Sequence, residues 1–446
     1  MNVNEMKAAA CAVIDKHAED IISLGDSIFQ EPELGYKEFK TAEKVKAHLD
    51  KLGLEYKDKV AVTGILTPFK GRDHKAHLAI MGELDAVLVA DHPQADPVTG
   101  AAHACGHFAQ AAAVVGVAYA LKESGVMEEL DGDITLMHVP AEEFVELEWR
   151  KKDLIDTQGA VKLLGGKQEF IRLGVFDDVD MMVMQHSRAT EDDENPAAIK
   201  ADAGGTGLGF HGRMVQYLGK ASHAAAPQMG VNALKAAQIG LFGIDAQRET
   251  FQDKDGIRVH PIITKGGDLV NVVPADVRIE TYVRGLSADA VMSASEKVDR
   301  AFMAGAYAMG PECQCIITKL PGYIIPWESE ELKDVVYDNL KYVWGEENVK
   351  RNGGGGSTDA SDVSVIIPTV HFNNGGAKGI GHGNNYCVGN PEYIYLNAAK
   401  GLVCTAIDLL ANGAEKALYV KENFKPFMTK EQYLTEWCGL EKGKDF

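Results

Sequence analysis

Apolar residues recur at helical spacing over residues 6–22 and 41–52, and a short apolar run at 77–81 then reads as a strand. Residues 108–121 are apolar on nearly every face and dominated by alanine and valine, which predicts a helix packed inside its domain rather than on the surface. Strands are expected at 134–139 and 181–185. This alternation favours an α/β fold whose mostly parallel sheet is covered by helices on both faces.

The texture changes after residue 206. Strands are expected at 213–218, 258–264 and 277–284, with helices at 232–245 and 288–304. This predicts a smaller α+β domain inserted at 207–320 between two parts of the sheet domain, 1–206 and 321–446. The second part resumes with a strand at 363–372 and closes with a helix at 397–410. The charged, aromatic tail after Glu415 and the long charged segment 144–174 carry no pattern that assigns them a role.

The 446 residues leave room for two or three domains, and 46% hydrophobic with 25% charged residues is ordinary for a globular chain. A formal net charge of −20, with no local Lys and Arg cluster, excludes nucleic acid and anionic membrane surfaces as expected partners. The first ten residues include Glu5 and Lys7 rather than the apolar core of a signal peptide, and no run reaches the roughly 18 apolar residues of a spanning helix. Seven scattered cysteines do not form a disulfide framework. A cytoplasmic location is the expectation.

Three strand-like runs end in acids or imidazoles: Glu83 and Asp85, then Glu142 and Glu143, then His186. Open α/β sheets bind ligands beyond the carboxyl ends of their strands, so these side chains are expected to converge there. A single acid at such a position would read as a helix cap or a solvated group. Three coincident ends are harder to dismiss. Cys105 and His107, just before the apolar helix, add a thiolate and an imidazole, both good zinc ligands. In the pair Glu142-Glu143 one carboxylate can bind metal while its neighbour takes a proton from the metal's water. His382 lies in a glycine-flanked loop that can return an imidazole to the same edge. The run 353–356 lacks the lysine of a phosphate loop and reads as a tight turn near a substrate. In the inserted segment, His223 stands among small residues, and Asn271 and Arg284 are groups suited to a carboxylate.

Taken in order, Pro32-Glu33-Leu34-Gly35-Tyr36, Glu83-Leu84-Asp85-Ala86, His103-Ala104-Cys105-Gly106-His107, Pro140-Ala141-Glu142-Glu143, His186, Ser222-His223, Asn271-Val272-Val273-Pro274 and His382 resemble the aminoacylase and carboxypeptidase family of dinuclear zinc metallopeptidases, amidohydrolase subgroup. Gly356-Ser357-Thr358-Asp359 resembles the branch with aminobenzoyl-glutamate hydrolase and related dipeptidases. The resemblance implies two divalent metals, zinc or manganese with cobalt as a further option, held by Cys105, His107, Glu143, His186 and His382. It implies Glu142 as general base and Asp85 as the acid that orients a ligand or the metal pair. It further implies His223 as an oxyanion donor reaching into a partner subunit of a homodimer, with Asn271, Arg284 and the backbone near Gly356 binding a substrate carboxylate. The inserted domain is then a dimerisation, or lid, domain. The expected reaction is hydrolysis of an amide in an N-acyl amino acid, an aminobenzoyl-glutamate-like compound or a dipeptide. Many members have His where this chain has Glu83, and the acid that usually follows the Cys-x-His pair is Phe108 here. A metal-dependent nucleobase deaminase would need a Cys-x-x-Cys, which the chain lacks, and a non-catalytic metal-binding scaffold would not be expected to keep Glu142.

Overall fold

Asn2 opens the first helix with a capping box: its side chain accepts from Glu5 N at 2.9 Å while Glu5 Oε2 accepts from Asn2 N at 2.8 Å. The expected helix over 6–22 is broken at His17 into Val3–Lys16 and Ala18–Gln30. His17 takes φ −102° and ψ 18° there, with its ring stacked on Tyr119 and 2.9 Å from Glu123 Oε2. The computed structural model describes residues 1–191, 197–205, 207–354 and 356–446.

The chain forms two units, one of Met1–Thr206, Trp327–Glu436 and Leu440–Phe446, the other of Gly207–Pro326 and Trp437–Gly439. The first holds a large mixed sheet in the order Lys57–Val60, Gly64–Phe69, Asp133–Val139, His77–Glu83, Met181–Ala189, Thr369–Lys378, Ala201–Asp202, Val349–Lys350. Its four central strands, from Asp133–Val139 to Thr369–Lys378, are mutually parallel. Leu78, Ile80, Ile134, Leu136, Met181 and Val183 join the main core, and the alternate residues Ala79, Met81, Met137, Met182 and Met184 are buried as well. A sheet closed on both faces needs continuous apolar strands, and the sequence supplies them.

Against the sheet lies His107–Glu123, in which every residue from His107 to Leu121 is buried, as the all-round apolar pattern predicts. Small residues permit this: a Cβ on Gly116 would come 2.9 Å from Ala399 Cβ on the helix Ala398–Leu410. The segment Glu392–Leu410 is apolar and long enough to cross a membrane, but 83% of it is buried as core. The expected strand over 363–372 is corrected: Ala360–Ser364 is helical, and the strand begins at Thr369. Ile366 and Ile367 still donate to Val363 O, and Pro368, which has no N–H, ends the turn.

The second unit is an antiparallel sheet ordered Arg258–Lys265, Asp276–Gly285, Gly209–Leu218, Gln314–Pro321. The last of these strands was not anticipated. Along Asp276–Gly285, Val277, Ile279, Thr281 and Val283 are buried and their neighbours half-buried, the alternation of a sheet packed on one face. The helices Ala233–Ala246 and Ala288–Ala308 pack on it, the first capped by Asn232, whose side chain accepts from Leu234 N and Lys235 N. Trp437 comes back from the tail to donate its Nε1–H to Gly322 O at 2.8 Å and to pack its ring edge-on to His211.

Candidate functional site

Glu83 pairs with Val139 in parallel register, so the strands His77–Glu83 and Asp133–Val139 end level and release Asp85 and Glu142-Glu143 side by side. The turn between Val139 and Glu142 is held from below. Ala141 adopts a left-handed φ of 54°, and its N–H donates to Glu38 Oε1 at 2.8 Å. Glu38 Oε2 in turn accepts from Thr63 Oγ1 at 2.7 Å. Burial and the nearby Asp85 charge push the Glu38 carboxyl up to about 7.

Donor atoms of Cys105, His107 and His186 lie within 4.8 Å of one another, as do those of Cys105, Glu143 and His382, and those of His107, Glu142 and Glu143. The shared members make these groups one connected centre. Cys105 Sγ is 3.3 Å from His186 Nε2, and His382 Nε2 is 3.1 Å from Glu143 Oε1. Gly106, between Cys105 and His107, has φ 104°, and a Cβ there would fall 2.0 Å from Ser187 Oγ. Only glycine lets the two side chains turn to the same side.

Asp85 organises this centre. It is fully buried, its Oδ1 faces His107 Nδ1 at 3.1 Å, and its Oδ2 accepts from Glu143 N at 2.8 Å. His186 Nδ1 faces the Ser187 carbonyl at 2.9 Å. Each Nδ1–H therefore has an oxygen to donate to, which leaves both Nε2 lone pairs directed at Cys105 and the carboxylates. His107 Nε2 lies 3.0 Å from Glu83 Oε2 and Glu143 Oε1 lies beside His382, yet neither atom makes a hydrogen bond of normal angle. Two buried polar atoms without hydrogen bonds, among thiolate, imidazole and carboxylate donors, fit a divalent metal of the zinc type.

The electrostatics agree. Burial by itself would raise the Cys105 thiol, but His107 and His186 outweigh it and bring the thiol down to about 6. The Cys105 thiolate and the Glu143 carboxylate beside it push His382 up to about 10. Burial, together with the charges of Glu83 and Glu143, holds the Glu142 carboxyl well above the ordinary range. The donors compete for the same protons, a competition that a cation would resolve.

A further group was not anticipated. Oxygens of Glu83, Glu142 and Asp359, all buried, also lie within 4.8 Å of one another, and Lys167 Nζ sits 2.5 Å from both Glu83 Oε1 and Asp359 Oδ1. Gln110 Nε2 donates to Glu83 Oε2 at 2.5 Å. Burial would raise the Glu83 carboxyl, but Lys167 and His107 reverse this and hold it well below the ordinary range. No spacing marks Lys167, Gln110 or Glu38 in the sequence, and Asp359 is visible only as the end of the Gly356-Ser357-Thr358-Asp359 motif. Gly356 itself lies in an exposed loop before the helix Ala360–Ser364, and Gly355 falls outside the described residues.

In the second unit the structure brings His223 and Asn271 together: Ala224 N donates to Asn271 O at 2.9 Å, and His223 forms a bridge with Val272. His223 Nδ1 accepts from Ala225 N at 3.0 Å, so the neutral ring carries its proton on Nε2, where it can donate. Arg284, stacked over Phe210 and Tyr282, does not join them. It lies roughly 27 Å along the strand from Asp276 at ~3.4 Å per residue, and Asn271 precedes that strand, so one chain cannot close both residues on a single carboxylate.

Residues 79–407 match Peptidase family M20/M25/M40. The chain is 28% identical over 461 residues to the human Xaa-Arg dipeptidase, covering 96% of this chain and 94% of the relative. It is 29% identical over 273 residues to an IAA-amino acid hydrolase of Arabidopsis thaliana, covering 60% and 56%. Among solved structures, the aminobenzoyl-glutamate utilization protein of Klebsiella pneumoniae shares the fold, with TM-score 0.67, 19% identity and coverage of 89% and 97%. A dinuclear metal binding peptidase of Bacillus subtilis does so with TM-score 0.63, 19% identity and coverage of 89% and 99%. The family match spans most of the chain and takes in the strands and turns just described, and the chain therefore belongs to Peptidase family M20/M25/M40, hydrolases acting on carbon–nitrogen bonds.

Proposed function

We propose that this chain hydrolyses an amide bond beside a free carboxylate, in an N-acyl amino acid, an aminobenzoyl-glutamate-like compound or a dipeptide, at a centre of two divalent metals. The observation that carries the proposal is the set of donor groups sharing Cys105, His107 and Glu143, with Glu142 adjoining them. Cys105, His107, Glu143, His186 and His382 hold the ions, zinc or manganese first and cobalt as a further option. When bound, the ions lower the pKa of a water and polarise the amide carbonyl. Glu142 takes the attacking water's proton on its carboxylate and returns it to the leaving amine. Asp85 keeps His107 and Glu143 oriented through its two oxygens.

The relatives' names, dipeptidase and amino acid hydrolase, support substrates of this kind. The seven free thiols suit a cytoplasmic location. For the second unit the proposal is a homodimer. The edge strand Arg258–Lys265 exposes Ile262 and Ile263, and Phe242 and Val270 add further exposed apolar surface. His223 of the partner subunit then supplies the oxyanion donor, and Asn271 of one subunit and Arg284 of the other serve the substrate carboxylate, with the backbone near Gly356 assisting.

Metal-loaded enzyme is tested on N-acyl amino acids, dipeptides and aminobenzoyl-glutamate, each as free acid and methyl ester. Cleavage of acids alone is expected, and equal cleavage of the esters overturns the carboxylate requirement. Glu142→Gln retains its metals and loses roughly 10²- to 10⁴-fold in turnover. Wild-type turnover in that variant removes Glu142 from its role. Mixed dimers of His223→Ala and Glu142→Gln recover activity if the site is shared, and stay dead if it is not.

A further inference from the structure

Lys167 is the second residue of a short helix, Gly166–Arg172, docked on the catalytic turn: Gly166 N donates to Ala141 O at 3.2 Å, and a Cβ on Gly166 would fall 1.8 Å from Pro140 O. This fixes where the Lys167 side chain starts. Its backbone N–H donates to Asp359 Oδ2 at 3.0 Å, and its wholly buried ammonium lies 2.5 Å from Asp359 Oδ1 and 2.5 Å from Glu83 Oε1. Glu83 uses its other oxygen on Gln110 and faces His107 Nε2. Glu142 completes the carboxylate group, its oxygen within 4.8 Å of those of Glu83 and Asp359.

Three buried carboxylates at this spacing form an all-oxygen group, the donor type preferred by Ca²⁺, Mg²⁺ and Mn²⁺. A divalent ion there would draw Glu142 into its coordination shell and turn Glu83 away from His107. A lysine ammonium carries three donors and a single charge, so it can satisfy neighbouring carboxylates without binding water as a reactive ligand. We propose that Lys167 is a positioning residue whose ammonium takes a cation's place among Glu83, Glu142 and Asp359, closing that group to divalent metal and reserving Glu142 for proton transfer. This rests on the two-metal reading of the neighbouring donors. It adds that the chain limits its own metal count from within, through a residue that touches none of the proposed ligands.

The test is metal counting by native mass spectrometry on the full chain, with Ca²⁺ and Mn²⁺ as probes. Wild type holds two ions and gains none in excess Ca²⁺. Lys167→Met gains a third ion, its melting temperature rises with added Ca²⁺, and Ca²⁺ inhibits its turnover although wild type is insensitive. Lys167→Met/Glu83→Gln, which removes one charge of each sign, returns to two ions. Lys167→Met that folds only when Ca²⁺ or Mn²⁺ is supplied also supports the proposal. Lys167→Met that folds with two ions and no response to Ca²⁺ overturns it, and so does failure to fold in excess of either cation. Wild type without bound metal instead overturns the two-metal reading, a result separable from the others.

Discussion

The two units handle burial in opposite ways. In the first, the central strands are closed on both faces and the charges are concentrated at the strand ends, where Glu83, Asp85, Glu142, Glu143, Lys167 and Asp359 are all buried. In the second, a one-sided sheet buries one main ion pair, Arg213 with Asp299 at 2.7 Å, beside His211. A sheet without a free face can offer chemistry only at its ends. A sheet with a free face can offer surface.

The comparison is strained most by a large core truncation in the first unit. Phe108, fully buried against Phe29, His103 and Tyr395, replaces the acid that usually follows the Cys-x-His pair. Phe108→Ala is expected to cost about 3–5 kcal/mol in urea unfolding, with metal content retained. In the second unit, Arg213→Met strands Asp299 beside Lys319, 3.9 Å away, and is expected to cost about 3 kcal/mol without changing the number of bound ions. If the cost of either variant falls below about 1 kcal/mol, that unit's core is not where its stability lies.

Acid separates the units next. Burial holds His138 in the first unit and His211 in the second down to about 4, against an ordinary value of about 6.5. The unfolded chain therefore takes up these protons first, and the stability each contributes is full above about 6.5 and is lost as pH falls towards 4. Glu38 works the other way in the first unit. Its folded value of about 7 is raised, so its contribution is present below about 4.5 and is lost as pH rises through 7. Glu38 thus opposes His138 in the first unit, where His103 and His371, held down to about 3 by burial, act in the same direction as His138. Hydrogen exchange at pH 7 and pH 5 should show protection falling in both units, and His211→Gln should flatten the profile of the second unit alone. The smallest effect is expected from the cap: Asn232→Ala removes acceptors for Leu234 N and Lys235 N and should cost about 1 kcal/mol in thermal unfolding.

The same contrast explains what the sequence made legible. Continuous apolar strands and the all-apolar helix announce a sheet closed on both sides, and the acids at their ends follow directly from strand direction. Gln314–Pro321 was missed because its exposed outer edge breaks the alternation that identifies its neighbours. Lys167 and Asp359 stand far apart in sequence, and only tertiary packing makes a lysine in a charged segment the centre of a buried cluster. Asn271 and Arg284 read as a matched pair by chemistry, but a ten-residue strand holds them apart. Residue type was legible where local periodicity placed the side chain, and illegible where distance along a strand or burial against a remote segment decided its use.

The return of Trp437 to Gly322 O has a consequence in time rather than in space. As the chain leaves the ribosome, residues 207–326 are out before Trp437, so the second unit must hold together while residues 327–436 are made, with His211 uncovered and one carbonyl still bound to water. Its final latch is made after nearly all of the remaining polypeptide has been translated. A protease that trims the tail before Trp437 would therefore return the second unit to this nascent form while leaving every proposed metal-binding side chain in the chain.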